Sequence, residues 1–413
     1  MARVLIVSHA IPQFPGPGAE ARAYCLAQAL SKEFDLAFLL PAHTPELRAR
    51  LAKLSDLGET YAATPQWTRI EWRLQQLRQL GQGWMRFNPM SRRPAMVRQV
   101  EPVLLGLRKG LAELGRAQFD LVHFIHPQAA KLLNMVDVPA PKTLDWVDER
   151  SNTLERSLAW KESAAARWAT RMEIRRIQAY QRQIGRLFEA TFSSSAMDAD
   201  RLAALAACSR PTVVANGVDT IYFDDQDQFG SRQTAQLLFS GHMGYEPNID
   251  AISYLWDEIW PLIIARVPGA HLLIVGTDPG EEVLQLAREH PEQVSVTGRV
   301  EDVRPYLAQS TVCLAPLRSG SGTRLKILEA MAMRRPVVST SIGCEGLDVE
   351  DRESIFIGDT PTEFAEAVVE LLESEAAWKK VSENGRRLVV ERYGWEQLAR
   401  PMARVWRELI ERS

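Results

Sequence analysis

Cysteine is scarce in this chain. Four occur among 413 residues, Cys25, Cys208, Cys313 and Cys344, widely scattered and without a Cys-x-x-Cys or Cys/His spacing. That excludes a disulfide framework and a structural zinc site, and leaves free thiols in a reducing compartment as the expected state. No apolar run is long enough to span a bilayer, and the N-terminus passes directly into Val4-Leu5-Ile6-Val7 without the flanks of a signal peptide. The expected location is the cytoplasm, with a peripheral position at the inner face of the cell membrane left open. An excess of positive charge is missing too: the formal net charge is −3, which argues against a nucleic-acid partner. No Asp-x-Asp stands at a strand end. The nearest such acids, Asp224, Asp225 and Asp227, lie in a polar linker, so no required metal is expected.

What is present is an ordinary globular composition, 46% hydrophobic and 24% charged, on a chain longer than one core usually serves. Two domains are expected. Buried-strand patterns fall at residues 3–9, 36–40, 119–125, 142–148, 190–193 and 212–214. The third of these is followed by His126-Pro127, and Asp145, Asp148 and Glu149 fall at the end of the fourth. A helical region covers 153–188. Asn216-Gly217-Val218-Asp219 reads as a tight turn, and a polar, acidic linker runs over 220–235. The strand pattern then restarts at 237–240, 272–275, 294–297, 312–315, 337–339 and 355–357, alternating with helices that include 248–264, and the chain ends in helices at 361–373, 376–391 and 395–411. Strand-helix alternation of this kind predicts α/β architecture: two parallel sheets, each covered on both faces.

The most informative stretch is residues 316–332, in which Arg318-Ser319-Gly320-Ser321-Gly322-Thr323-Arg324-Leu325-Lys326 leads into a helix carrying Glu329. A strand, a glycine-rich turn and a helix N-terminus make an anion site. Arg324 and Lys326 add cations suited to a phosphate, while Glu329 repels one and is better placed to receive hydroxyl hydrogen bonds, as from a ribose. A helix cap with two solvated cations is the plain alternative. The loop 12–20 after the first strand, with Gly16 and Gly18, is a second ligand position. Residues 65–116 are basic and aromatic. They read either as an acceptor-binding or membrane-facing insertion or as helices packed on the sheet with snorkelling arginines.

Four further motifs accompany 316–332, each in order along the chain: the loop at 216–219, the pair Ser240-Gly241, a helix opening at Pro247-Asn248, and Thr297-Gly298-Arg299-Val300-x-Asp302-Val303. Together the set resembles the retaining glycosyltransferases of family 4, in the form linked to exopolysaccharide and cell-surface glycan assembly. The resemblance implies the GT-B fold: two Rossmann-like, doubly wound parallel-sheet domains facing a central cleft. Residues 1–215 would be the acceptor-binding domain, joined by the C-terminal helix 395–413, and residues 216–394 the donor-binding domain. It implies transfer of a sugar from a nucleoside-diphosphate-sugar to a hydroxyl of a glycan or lipid-linked acceptor, with retained configuration and no cofactor.

Site residues follow residue by residue. Glu329 matches the second acid of the family's Glu-x7-Glu motif, whereas the first falls on Ser321. Gly322, Thr323, Arg324 and Lys326 line the diphosphate cradle. The family's two cations after the first strand of the donor domain fall on His242, beside Gly241, and on Asn248, so Arg324 and Lys326 are expected to replace them. Gly276 and Arg299 border the base. The family's glycine pair falls on Gly18-Ala19, near Gly16, and its histidine after the fourth strand is His126 rather than His123. Catalytic roles are assigned to His126, Arg324 and Lys326. Two rival readings remain: a GT-B sugar-nucleotide epimerase or hydrolase, and a non-catalytic partner subunit of another transferase.

Overall fold

The computed structural model describes residues 1–16, 18–64, 91, 93–114, 119–147, 149–158, 163–206, 209–224, 235–319 and 324–413. The chain divides into two compact units, Met1–Ala215 with Ala399–Ser413, and Asn216–Leu398.

The first unit is built on seven parallel strands: β1 Arg3–Ser8, β2 Asp35–Pro41, β3 Gly58–Ala63, β4 Leu121–Ile125, β5 Lys142–Asp145, β6 Ala190–Ser193 and β7 Thr212–Val213, ordered β3-β2-β1-β4-β5-β6-β7. Val4, Leu5, Val7, Phe38 and Phe124 are fully covered, because helices lie on both faces and the strands must be apolar throughout. The helices are α1 Gly18–Leu30, α2 Pro45–Ala52, α3 Ala95–Leu114, α4 Arg150–Ser157, α5 Ala164–Ile184 and α6 Ala196–Ala206. The expected helix over 153–188 is two helices, α4 and α5. Their starts are fixed by separate caps: the Glu149 carboxylate receives the N–H groups of Ser151 and Asn152, and the Ser163 hydroxyl that of Ala166. β3 and α2 carry no clear sequence signal. β3 is a partly exposed edge strand, so it lacks the apolar run of a central one. α3 buries Val97, Leu104, Leu107 and Leu111 in the core, which gives residues 95–114 the packed reading. Residues 65–90 lie outside the described residues.

Polar groups pin this unit from within. The Arg22 guanidinium, 1% exposed, donates to Asp145 Oδ2 at 2.9 Å and to the Val214 carbonyl at 2.8 Å. Glu149, fully buried, also accepts from the Ser151 hydroxyl, Gln181 and Arg201. Two of the acids at the end of β5 are therefore structural, and the third, Asp148, lies outside the described residues.

The second unit has six parallel strands, β8 Gln236–Ser240, β9 His271–Val275, β10 Val294–Val296, β11 Val312–Ala315, β12 Val337–Ser339 and β13 Phe356–Ile357, ordered β10-β9-β8-β11-β12-β13. Around it lie α7 Glu246–Tyr254, α8 Trp260–Arg266, α9 Glu281–Glu289, α10 Arg304–Gln309, α11 Leu325–Ala332, α12 Pro361–Glu373 and α13 Glu375–Arg392. The expected helix 248–264 runs from α7 to α8 through a π-helical turn, Leu255–Ile259, closed by Trp260 N–H donating to the Leu255 carbonyl. Pro261 follows, and the widened turn accommodates a residue with no N–H to give.

The tight turn expected at 216–219 is not there. Val218 instead forms a parallel bridge with Gly394, its N–H donating to the Tyr393 carbonyl at 2.9 Å, and the turn begins only at Asp219, whose carboxylate caps Ile221 and Tyr222. Gly217 serves a close approach instead: a Cβ there would meet the Tyr393 oxygen at 2.5 Å. The last helix, α14 Trp395–Glu411, contributes its residues from Ala399 onward to the first unit. There Trp406 is fully buried against Phe34 and His123.

Candidate functional site

In the second unit the ends of β8, β9 and β10 are stitched together by backbone bonds. Gly241 N–H donates to the Val275 carbonyl, Gly276 N–H to the Gly298 carbonyl and Met243 N–H to the Thr277 carbonyl. Side chains are excluded here. Gly241 and Gly276 have φ of 155° and 156°, and a Cβ on Gly276 would lie 1.6 Å from the Gly241 oxygen. The result is a shelf of bare backbone at the C-terminal edge of the sheet, where open α/β sheets bind ligands.

α11 brings its first turn to this shelf. Lys326 Nζ donates to Asn248 Oδ1 at 2.9 Å, lies 4.1 Å from the centre of the Phe239 ring, and would be 3.1 Å from a Cβ on Gly241. Asn248 in turn donates to the His242 carbonyl at 2.9 Å. Asn248 thus supplies no cation, yet it seats one from a residue 78 positions later. Burial, reinforced by the Arg324 charge, lowers the Lys326 ammonium to about 7, with Glu329 opposing. Burial raises the Glu329 carboxyl to about 7, with Lys326 opposing. The two stand one turn apart on the same helix face, and Arg324 occupies the extended N-cap position of α11.

The turn leading to α11 is anchored by a residue that sequence reasoning passed over. The Arg318 guanidinium is bidentate on Asp250, at 3.1 and 2.6 Å, and covers the Tyr254 ring. His242 is exposed and turned to the β9 loop, its Nδ1 2.8 Å from Thr277 Oγ1 and 3.3 Å from Asp278. Arg299 lines a groove of about 500 Å³ with Thr297, Asp302 and Tyr306. Beside it Arg304 pairs with Asp302 and lies 3.7 Å over the Tyr222 ring. The Tyr222 phenol is raised by burial and then by Asp302, with Arg304 opposing. Ser321, Gly322 and Thr323 lie outside the described residues.

In the first unit, His126 follows β4 with φ of 70°, a conformation uncommon outside glycine. Its N–H donates to the Asp145 carbonyl at 3.0 Å. Its ring stands edge-on to that of His9, with centroids 5.0 Å apart. Burial lowers His126 to about 4, and burial together with His126 lowers His9 to about 3, so both rings are neutral at physiological pH. His9 follows β1, paired with β4, and was not anticipated; only the ladder reveals the neighbour. His123 is a core residue, its Nδ1 2.9 Å from the Thr143 hydroxyl. Gly18 opens α1 and Gly16 packs against Gln13. Gly16, Gly18 and His126 thus fall at the ends of adjacent strands of the first unit, and the other described site residues belong to the second. Among the described residues no three His, Cys, Asp or Glu side chains cluster as metal ligands, and no helix is long and apolar enough to cross a membrane.

Two parallel-sheet α/β units with this strand order define a GT-B fold. Solved structures share it across the whole chain. Sucrose-phosphate synthase from Thermosynechococcus elongatus matches with a TM-score of 0.72 at 16% identity, covering 100% of both chains. HepE of Anabaena, in complex with UDP and glucose, matches at 0.64 and 14% identity over 99% of this chain and 100% of that one. Residues 234–374 match the family model described as glycosyl transferases group 1. Among curated relatives, a 44.6 kDa protein in the cps region of Klebsiella pneumoniae is 22% identical over 163 residues, 38% of this chain and 42% of its own. The phosphatidyl-myo-inositol mannosyltransferase of Mycobacterium tuberculosis is 25% identical over 203 residues, 47% of this chain and 53% of its own. The chain thus spans about half the length, or less, of the curated relatives it matches.

Proposed function

We propose that this protein is a glycosyltransferase that moves a sugar from a nucleoside-diphosphate donor to an acceptor hydroxyl with retention of configuration, as in family 4. The observation that carries the reading is Lys326 seated between Asn248 and the bare backbone of Gly241. A cation at a surface free of side chains suits a diphosphate, which needs both charge and close approach. The match of residues 234–374 to a glycosyltransferase family model covers this same region.

In the proposed reaction the bond from the anomeric carbon to the diphosphate oxygen breaks as the acceptor oxygen bonds to that carbon on the same face. The leaving diphosphate takes the acceptor proton. Lys326 and Arg324 offset the charge that develops, a role that in other transferases falls to a metal ion. Glu329 receives ribose hydroxyls, Arg299 and Gly276 border the base, and His126 contacts the donor sugar as a neutral hydrogen-bond partner. The acceptor is a glycan or a lipid-linked glycan, in keeping with the lipid named for the mycobacterial relative. Residues 1–215 with the C-terminal helix serve the acceptor and 216–394 the donor. Incubation with nucleotide sugars and acceptor glycans, with the anomeric coupling of the product read by NMR, tests the proposal. A product of inverted configuration, or release of free sugar with no transfer, contradicts it. Activity abolished by EDTA and restored by Mn2+ contradicts the metal-free form.

A further inference from the structure

The chain leaves β11 towards Lys326 under several restraints. Leu317 N–H donates to the Ala315 carbonyl at 2.8 Å, and the Leu317 carbonyl accepts from the Thr340 hydroxyl at 2.5 Å. Leu317 and Ser319 are both buried. Between them Arg318 runs along one side of α7. Its Nε and one terminal nitrogen meet the Asp250 carboxylate, and its guanidinium covers the Tyr254 ring one turn on, 4.4 Å from the centre. Its other terminal nitrogen stands 3.6 Å from Glu258, a further turn along. Lys326 is held by Asn248 of the same helix. Asn248 and Asp250 are two residues apart, so their side chains leave α7 roughly 200° apart around its axis. The stretch from Arg318 to Lys326 is therefore tied at both ends to the same part of α7, from two different sides.

We propose that Arg318 is a positioning residue for the donor diphosphate. By locking to Asp250 it fixes the start of the stretch whose end presents Lys326 to Gly241. The assignment rests on the reading of Lys326 given above. A two-pronged arginine-carboxylate contact fixes direction as well as distance, and this one is largely shielded, with the Asp250 side chain 18% exposed. The Arg318 charge is already matched by Asp250 and Glu258, so its contribution to an anion site is geometric. A site whose ligand-meeting groups are ordered beforehand binds more tightly, because less ordering accompanies binding. Asn248 alone holds Lys326 by a single hydrogen bond. The lock at Arg318 supplies the second anchor.

The test is calorimetric titration of UDP, GDP, ADP and dTDP into the full chain, well below its melting temperature. It compares the native chain with Arg318→Met, Asp250→Ala, the double variant and Arg318→Lys. The nucleotide that the native chain binds should bind each single variant about tenfold more weakly, the equivalent of fixing one further residue's backbone on binding. The double variant should be no weaker than either single one, since both remove the same lock. Arg318→Lys should be weakened too, because an ammonium cannot make the forked contact. Asp250→Ala is decisive in sign. Loss of an acid leaves the surroundings more positive, so charge alone would tighten the hold on an anion, whereas loss of position weakens it. Asp250→Ala puts a strong helix former into α7 and Arg318→Lys keeps the charge, so folded protein is at hand for comparison should Arg318→Met fold poorly. Unchanged affinity in the single variants, tighter binding by Asp250→Ala, native affinity in Arg318→Lys or additive losses in the double variant each overturn the assignment and leave the donor reading standing. A native chain that binds none of the four nucleotides overturns both.

Discussion

Lys326 shows how one residue's surroundings set its chemistry. Its depressed ammonium, at about 7, makes donor binding depend on pH with a definite sign. A diphosphate favours the protonated lysine, so the complex has a higher pKa than the free protein. Affinity is complete below 7 and falls as pH rises from 7 towards the pKa of the complex, by at most about tenfold per unit. Calorimetry in buffers of different ionisation enthalpy should show proton uptake above pH 7, absent in Lys326→Met. His126 makes a second case. Both it and His9 are neutral at pH 7, so His126 acts as a hydrogen-bond partner rather than as an acid; if its bond strengthens in the transition state, His126→Ala should lower kcat by roughly 10²-fold while donor Kd stays within a few-fold. Steady-state kinetics with calorimetry separates the two. The grouping of Arg324, Lys326 and Glu329 is legible in the sequence because they sit in one short motif. The seating of Lys326 by Asn248 and the edge-on packing of His9 against His126 are not. Both depend on neighbours 78 and 117 positions away, and single-residue chemistry gives no sign of them.

At the scale of elements, glycine and buried charge decide what each unit tolerates. A Cβ on Gly276 would sit 1.6 Å from the Gly241 oxygen, so β8 and β9 must part at their ends. Gly276→Ala should lower stability by about 1–3 kcal/mol and abolish nucleotide protection, read by denaturant melts with and without donor. Arg22 and Asp145 form a buried pair, and removing one partner leaves a bare charge. Arg22→Met should cost about 3–5 kcal/mol, and Arg22→Met with Asp145→Leu should recover most of it; urea titration of the three proteins reads this out. The central strands were plain in the sequence because both faces are apolar. β3, at the sheet edge, was not, and the division between α4 and α5 is set by caps within an unbroken helical pattern. Gly217 was misread for a related reason: a glycine that permits close approach looks the same in sequence as one that permits a turn.

At the scale of the whole molecule, two strand-helix series and five ordered motifs in the sequence point to the GT-B fold. Strand order and the full-length likeness to known structures agree with it. What sequence left open is the choice of donor, because base and sugar are read by backbone groups and by residues from several loops. The account's central claim is that Lys326, seated by Asn248 beside Gly241, holds a nucleoside diphosphate. A thermal-shift panel of UDP-, GDP-, ADP- and dTDP-sugars, followed by calorimetric titration of the responding donor into the native chain and Lys326→Ala, tests it most directly. The account predicts a clear response to one nucleotide class and a Kd weakened by roughly 10²-fold in the variant, consistent with loss of a buried charge-assisted contact. No response to any nucleotide sugar, or an unchanged Kd in Lys326→Ala, would contradict it.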